Sequence, residues 1–222
     1  MKDKDSNDDI QKILAGITHR IWLDVYNTDR REPTPLDKVH VGDITAECVR
    51  HAAYSLTAPF SFHSLQTTIN FWHGRLLHSR PLLRHATQEL ALEWERIIGH
   101  VDEYSPDDGG TMLEKKSTSH VPDRPHVIHI RQAEYYKVLL ERTGHPCRHV
   151  FVVYFLKDMS PRLPTVLPVD ARGVSFIAEE MIRKRDFVLL SRKNKLLPPP
   201  LFGADCYFCN YVSLCFGDKI YE

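Results

Sequence analysis

Apolar residues recur at Ile10, Ile13, Leu14, Ile17, Ile21 and Val25, the spacing of one helical face, and predict an amphipathic helix over residues 8–27. The Glu32–Pro35 stretch ends it. A second helix is expected from Asp43 or Thr45, either of which can cap it, and would carry Cys48 and Tyr54. Residues 64–78 read as a third, with Leu65, Ile69, Trp72, Leu76 and Leu77 apolar, and Pro81 marks the next boundary. The pattern then changes. Residues 97–104 and 111–118 flank Ser105-Pro106-Asp107-Asp108-Gly109-Gly110, a turn-forming run that predicts a β-hairpin. A helix is expected over 126–142, closed by Gly144, the residue that most easily takes a left-handed cap. Val150–Leu156 is continuously apolar, as a buried strand is, and residues 173–190 return to helical spacing. Leu197-Pro198-Pro199-Pro200 forms a stiff spacer into a cysteine-rich tail. The expected organisation is one domain over 1–222: a helical N-terminal part to about residue 80, an α/β core over 81–196, and a metal-tied tail over 197–222.

Composition adds little to this picture and removes several alternatives. With 42% hydrophobic and 26% charged residues the chain reads as an ordinary globular protein. Its formal net charge is zero, so any contact with nucleic acid must come from a local patch. The densest is Arg183, Lys184, Arg185, Arg192, Lys193 and Lys195, either a phosphate track or a solvated helix face. No apolar run approaches the roughly 20 residues of a membrane span. The polar, mostly acidic start fits neither a signal nor a transit peptide, so a cytoplasmic protein is expected. Five cysteines in a reducing compartment argue for metal ligation or burial over disulfides.

The candidate chemistry begins with Asp102 and, across the hairpin, Glu114-Lys115-Lys116. Side chains alternate along a strand, so Glu114 and Lys116 share a face about 7 Å apart, and the returning strand can bring Asp102 beside Glu114. Paired carboxylates suit Mg²⁺ or Mn²⁺, and Lys116 beside such an ion could orient an attacking water and stabilise a phosphorane-like transition state. A separate group, Cys206, Cys209 and Cys215 with the distant Cys48, offers four thiolates. By spacing these suit a structural zinc and an iron–sulfur cluster equally well. Cys147 is left over and reads as a small buried residue at a strand edge.

The order of these features is informative. His78, Gly99-x-x-Asp102, Glu114-x-Lys116 and Gln132-x-x-x-Tyr136 follow one another as in the RecB-type branch of the PD-(D/E)XK nucleases. One early cysteine in Cys48-Val49-Arg50 and three late ones resemble the short iron–sulfur members, the Cas-four family of CRISPR-associated exonucleases. The resemblance covers about residues 41–215. It implies a nuclease core in which His78, Asp102, Glu114 and the Lys115 backbone carbonyl hold Mg²⁺ or Mn²⁺. Lys116 would be the catalytic lysine, with Gln132 and Tyr136 positioning substrate or site. It further implies an iron–sulfur cluster (4Fe-4S, with 2Fe-2S the alternative) on Cys48, Cys206, Cys209 and Cys215. The implied activity is exonucleolytic hydrolysis of DNA, on single-stranded ends, beside CRISPR adaptation integrase proteins. Val49 stands where that family often has proline. Lys115 stands where an apolar residue is commoner, which implies a partly exposed back face for its strand. His73, His100 and His120 compete with His78 as ligands. Other readings are a RecB-like nuclease of repair or of a virus, a non-catalytic DNA-binding scaffold of the same fold, and a zinc-tied structural protein.

Overall fold

A computed structural model describes residues 12–17, 19, 20, 23, 34–46, 48–57, 72, 74–157, 163–194, 197, 199, 206, 209 and 211–217. Residues 12–17 are helical as expected, with Ile13, Leu14 and Ile17 exposed, and most of the remaining 8–27 prediction lies outside the described residues. Of the helix expected over 64–78, residues 74–78 are helical and 64–71 lie outside. A short strand β1 (Val39–His40) runs into α1 (Val41–Thr45), and α2 (Val49–Thr57) follows. The expected single helix is therefore two, and Cys48 sits in the break between them. Its cap also differs from expectation. His40 Nδ1 accepts the Gly42 N–H at 3.2 Å, and Asp43, one turn on, accepts the His40 N–H at 3.0 Å.

The sheet is mixed and six-stranded. β2 (Thr87–Trp94) and β3 (Ile97–Ser105) pair antiparallel along their length, a hairpin absent from the expected elements. Its two-residue turn, Glu95-Arg96, has φ of 51° and 62°, values that ordinarily draw Asn or Gly. Arg185 holds the turn by donating to the Glu95 carbonyl at 2.7 Å and to its carboxylate at 3.0 Å. The other side of β3 is shared: β1 pairs in parallel with Ile97 and Ile98, and β4 (Thr111–Thr118) pairs antiparallel with Glu103–Ser105. Between those ends β3 and β4 splay apart. β4 instead runs parallel to β5 (His149–Leu156) over its whole length, and β6 (Thr165–Pro168) closes that edge. The expected hairpin and the buried strand are both present.

Helix α3 (Val127–Arg142) lies across β2 to β5, and α4 (Val174–Asn194) packs on α3 and α2. Val39, Ile44, Ile97, Val101, Met112, Tyr135, Leu139, Ile177 and Met181 meet in one core. A Cβ on Gly99 would come within 2.7 Å of Tyr136 Cε1, so the glycine lets α3 lie close on β3. Gly144, at φ 84°, ends α3 as predicted.

The basic stretch of α4 is largely turned inward. Lys184 donates to the Ile44 and Ala46 carbonyls, Arg185 is buried on the Glu95 turn, and Arg192 donates to the Leu36 and Lys38 carbonyls. Of the six cations expected as a phosphate track, Lys184 and Arg192 thus anchor the helix to the β1–α1 region and Arg185 anchors it to the β2–β3 turn. Among the described residues no helix is long and apolar enough to cross a membrane.

Candidate active site

Where β3 and β4 splay, the Lys115 N–H loses its ladder partner on β3, and the Asp102 carboxylate takes its place. The N–H donates to Asp102 Oδ2 at 2.6 Å. Asp102 Oδ1 then faces His78 Nδ1 at 3.2 Å, and the other ring nitrogen, Nε2, lies 3.1 Å from the Lys115 carbonyl oxygen. The structure therefore sets the His78 ring between Asp102 and the Lys115 carbonyl, one on each ring nitrogen. Glu114, 1% exposed, sits alongside with Oε1 2.6 Å from Lys116 Nζ and its buried Oε2 without a hydrogen-bond partner. Lys116 Nζ also donates to Gln132 Oε1 at 3.0 Å, and Gln132 Nε2 donates to the Tyr136 hydroxyl at 3.4 Å. Gln132 and Tyr136 lie one turn apart on α3, and the Tyr136 ring rests on Gly99. The chain Gly99–Tyr136–Gln132–Lys116 is how helix packing reaches the lysine.

Electrostatically the site is short of positive charge. Burial pushes the Glu114 carboxyl up to about 7; Lys116 opposes that shift and Asp102 adds to it. Burial works against the charged form of His78, but hydrogen bonds to Asp102 and then Glu89 outweigh it and raise the imidazole to about 9. Burial likewise opposes the Lys116 ammonium, and Glu114 overcomes this, holding its pKa above the ordinary value. Burial and then Glu114 raise the Tyr136 phenol, so it is a neutral hydrogen-bonding group.

The back face of β4 corrects the expectation drawn from Lys115. Its side chain is fully buried, as is Glu103, and the two are 2.6 Å apart. Lys115 Nζ also donates to the Arg80 carbonyl at 2.7 Å and the His78 carbonyl at 3.3 Å, while Glu103 Oε1 accepts the Leu82 N–H at 2.7 Å and the Leu83 N–H. A buried ion pair on one face thus clamps the segment that delivers His78 to the other.

Two neighbours were missed. Glu89, on β2, brings Oε1 to 3.6 Å from His78 Nδ1, and ligand atoms of His78, Glu89 and Asp102 all lie within 4.8 Å of one another. The alternation of Leu90, Leu92 and Trp94 with Glu89, Ala91 and Glu93 was the available signal for this strand. The second is His129 on α3, whose Nδ1 is 2.8 Å from the Tyr154 hydroxyl, on the β5 residue in register with Lys116. Of the competing histidines, His100 stacks on His40 and His120 lies in the turn after β4; neither joins the group, and His73 lies outside the described residues.

Four of the cysteines form a second grouping, and none of the five is in a disulfide. Burial raises the Cys209 thiol, and its other perturbing neighbours include Cys215, Cys48 and Cys206, so the residue before α2 meets the described part of the cysteine-rich tail here. Tyr54 of α2 stacks on Tyr211 at 5.3 Å, and Arg50 bonds to both Tyr54 and Cys215. Cys147 stands apart as expected, buried just before β5, with burial pushing its thiol up to about 12.

No family model and no curated protein sequence matches the chain. Among solved structures it is similar to SSO0001, with 16% identity and a TM-score of 0.54 over 93% of this chain and 98% of that one. It is also similar to a phage related exonuclease from Haemophilus somnus 129PT (14% identity, TM-score 0.49, 72% of this chain and 94% of that one). A third likeness is to an alkaline exonuclease (LHK-Exo) from Laribacter hongkongensis (14% identity, TM-score 0.46, 72% and 90%). The end-to-end likeness to SSO0001 shows a shared fold.

Proposed function

We propose that the protein is a divalent-metal-dependent DNA nuclease of the RecB-like PD-(D/E)XK type. The observation that carries the reading is the convergence of His78, Asp102 and the Lys115 carbonyl at the splay of two strands, with Glu114 and Lys116 beside them. The donor set, one imidazole with carboxylate and carbonyl oxygens, fits Mn²⁺ or Mg²⁺, and the unpartnered buried oxygen of Glu114 is the group such a cation would satisfy. His78, Asp102, Glu114 and the Lys115 carbonyl would hold it; when bound it supplies Lewis-acid polarisation and a more acidic water. Lys116, charged and held by Glu114 and Gln132, is placed to orient the attacking water and to stabilise negative charge on the phosphoryl oxygens. Gln132 and Tyr136 position Lys116. Incubating the protein with labelled single-stranded DNA and Mn²⁺ tests the reading. Asp102→Ala should abolish cleavage and Lys116→Ala should lower it by orders of magnitude, and variants that digest DNA like the parent would refute the reading.

The motif order supports a finer reading: a cytoplasmic exonuclease acting on single-stranded ends and trimming DNA for new CRISPR spacers beside the adaptation integrase. An iron–sulfur cluster on Cys48, Cys206, Cys209 and Cys215 would tie α2 to the tail. The nearness of Cys48, Cys206 and Cys215 to Cys209 supports a common site for them. Iron and sulfide analysis of the purified protein, with its visible absorbance, separates this from a colourless zinc site.

A further inference from the structure

We propose that Glu89 is a further ligand of the cation site, contributed by β2 from the solvent side. The assignment rests on reading His78, Asp102 and Glu114 as a cation site. It follows from the register of three neighbouring strands. β2 and β3 pair Gln88 with Glu103 and Leu90 with Val101, which sets Glu89 opposite Asp102. β3 and β4 pair Glu103 with Leu113, and one step further the same register sets Glu114 opposite Asp102. The register thus places the three residues in line across the strands, and ligand atoms of Glu89, Asp102 and His78 lie within 4.8 Å of one another. Glu114 is sealed inside, whereas the Glu89 side chain is 56% exposed. A cation on His78 and Asp102 would therefore find a further protein oxygen and a water-accessible approach at Glu89.

The backbone at Glu89 singles this carboxylate out from ordinary surface acids. It has φ 49°, in the left-handed region, in the middle of a strand, and the pair it would make with Asp102 is missing although both flanking pairs form. A glutamate gains nothing from that conformation by itself, since Cβ crowds the backbone there. The consequence is a carboxylate oxygen 3.6 Å from His78 Nδ1, the same nitrogen that faces Asp102. The nearby Glu93, on the same strand, is engaged instead by Lys38 at 2.7 Å. Local strain at a ligand position is a recurrent feature of functional sites.

Mn²⁺ binding to the full chain, followed by calorimetry and by the free-ion electron paramagnetic resonance signal, tests the assignment without reliance on activity. Glu89→Gln should weaken Mn²⁺ binding about tenfold or more, a loss on the scale expected for a ligand or its partner. The melting temperature of its metal-free form should fall only slightly, by the small contribution of an exposed partner of His78. Glu89→Asp should retain part of the affinity. Glu89→Gly removes the Cβ from a left-handed position, so it should melt higher without metal while binding Mn²⁺ no better than Glu89→Gln. A Glu89→Gln protein that binds Mn²⁺ as tightly as a binding-competent parent overturns the assignment alone. A parent that binds no Mn²⁺ overturns the reading of the site as well.

Discussion

Lys115 and Glu103 form an ion pair of 2.6 Å with both side chains fully buried, directly behind the strand face that carries Asp102 and Glu114. Adjacent residues thus do opposite work. Asp102 and Glu114 face the site, while Glu103 and Lys115 hold the backbone of residues 78–83 against the other face.

Lys115→Met should leave the Glu103 charge buried and unpaired, costing about 3–5 kcal/mol of stability. Urea denaturation should show this loss and its recovery, in large part, in a Glu103→Leu/Lys115→Met double variant, because apolar groups of similar volume can replace a buried pair. The double variant still lacks the donor to the His78 and Arg80 carbonyls, so its Mn²⁺ affinity should remain below that of the parent.

Lys116→Ala should lower the turnover of DNA cleavage by about 10²- to 10⁴-fold, the usual worth of a positioned acid–base group, with Mn²⁺ binding retained. Gln132→Leu removes the acceptor 3.0 Å from Lys116 Nζ and should lower turnover less, by roughly tenfold, an order typical of a supporting contact. Steady-state kinetics on one oligonucleotide distinguishes the two.

Gly99→Ala adds a methyl group where Tyr136 already lies, at 2.7 Å, with Leu139 Cδ1 at 3.1 Å. Overpacking of this kind costs about 1–3 kcal/mol. The variant should also lose turnover, because lifting α3 moves Gln132 away from Lys116. Denaturation and kinetics on the same preparation check both effects.

His129 gives a pH dependence whose sign follows from its surroundings. Burial, then Lys116 across from β4, then His126 at the start of its own helix depress its imidazole to about 4 from an ordinary 6.5. The Tyr154 hydroxyl accepts the His126 N–H at 3.1 Å and has its own hydrogen to give to an unprotonated His129 Nδ1 at 2.8 Å. Between pH 6.5 and 4 the unfolded chain takes up this proton and the folded chain does not. Stability should fall as pH drops through that window and then level off with respect to this group. Comparing urea midpoints of the parent and His129→Gln at pH 7, 5.5 and 4.5 should show a smaller loss in the variant.

If the four thiolates share one metal group, Cys48→Ser and Cys209→Ser should have the same effect despite their separation in sequence. Both should lower bound metal to near zero and expose the tail to proteolysis, whereas Cys147→Ser should leave metal content unchanged. Metal analysis and limited digestion of the three variants provide the check.

Local spacing was enough for much of this molecule. The hairpin around residues 105–110, α3 with Gly144 at its end, the apolar β5, and the order His78, Asp102, Glu114, Lys116, Gln132, Tyr136 were all legible. Each depends on neighbours within a few residues or on motif succession. The β2 strand was also written in its alternation, but its turn, Glu95-Arg96, carries no turn residue and holds its shape through Arg185, ninety residues away. Which charges serve the surface and which the interior was not legible at all. Lys115 is buried because Glu103 and two carbonyls meet it; Lys184 and Arg192 turn inward because the β1–α1 region presents them with acceptors, and Arg185 because the Glu95 turn does. Glu89 reaches His78 only through the pairing of β2 with β3 and a left-handed backbone. Periodicity reports the face on which a side chain lies; the partner it finds there is set by chain closure over long distances, which only the folded arrangement decides.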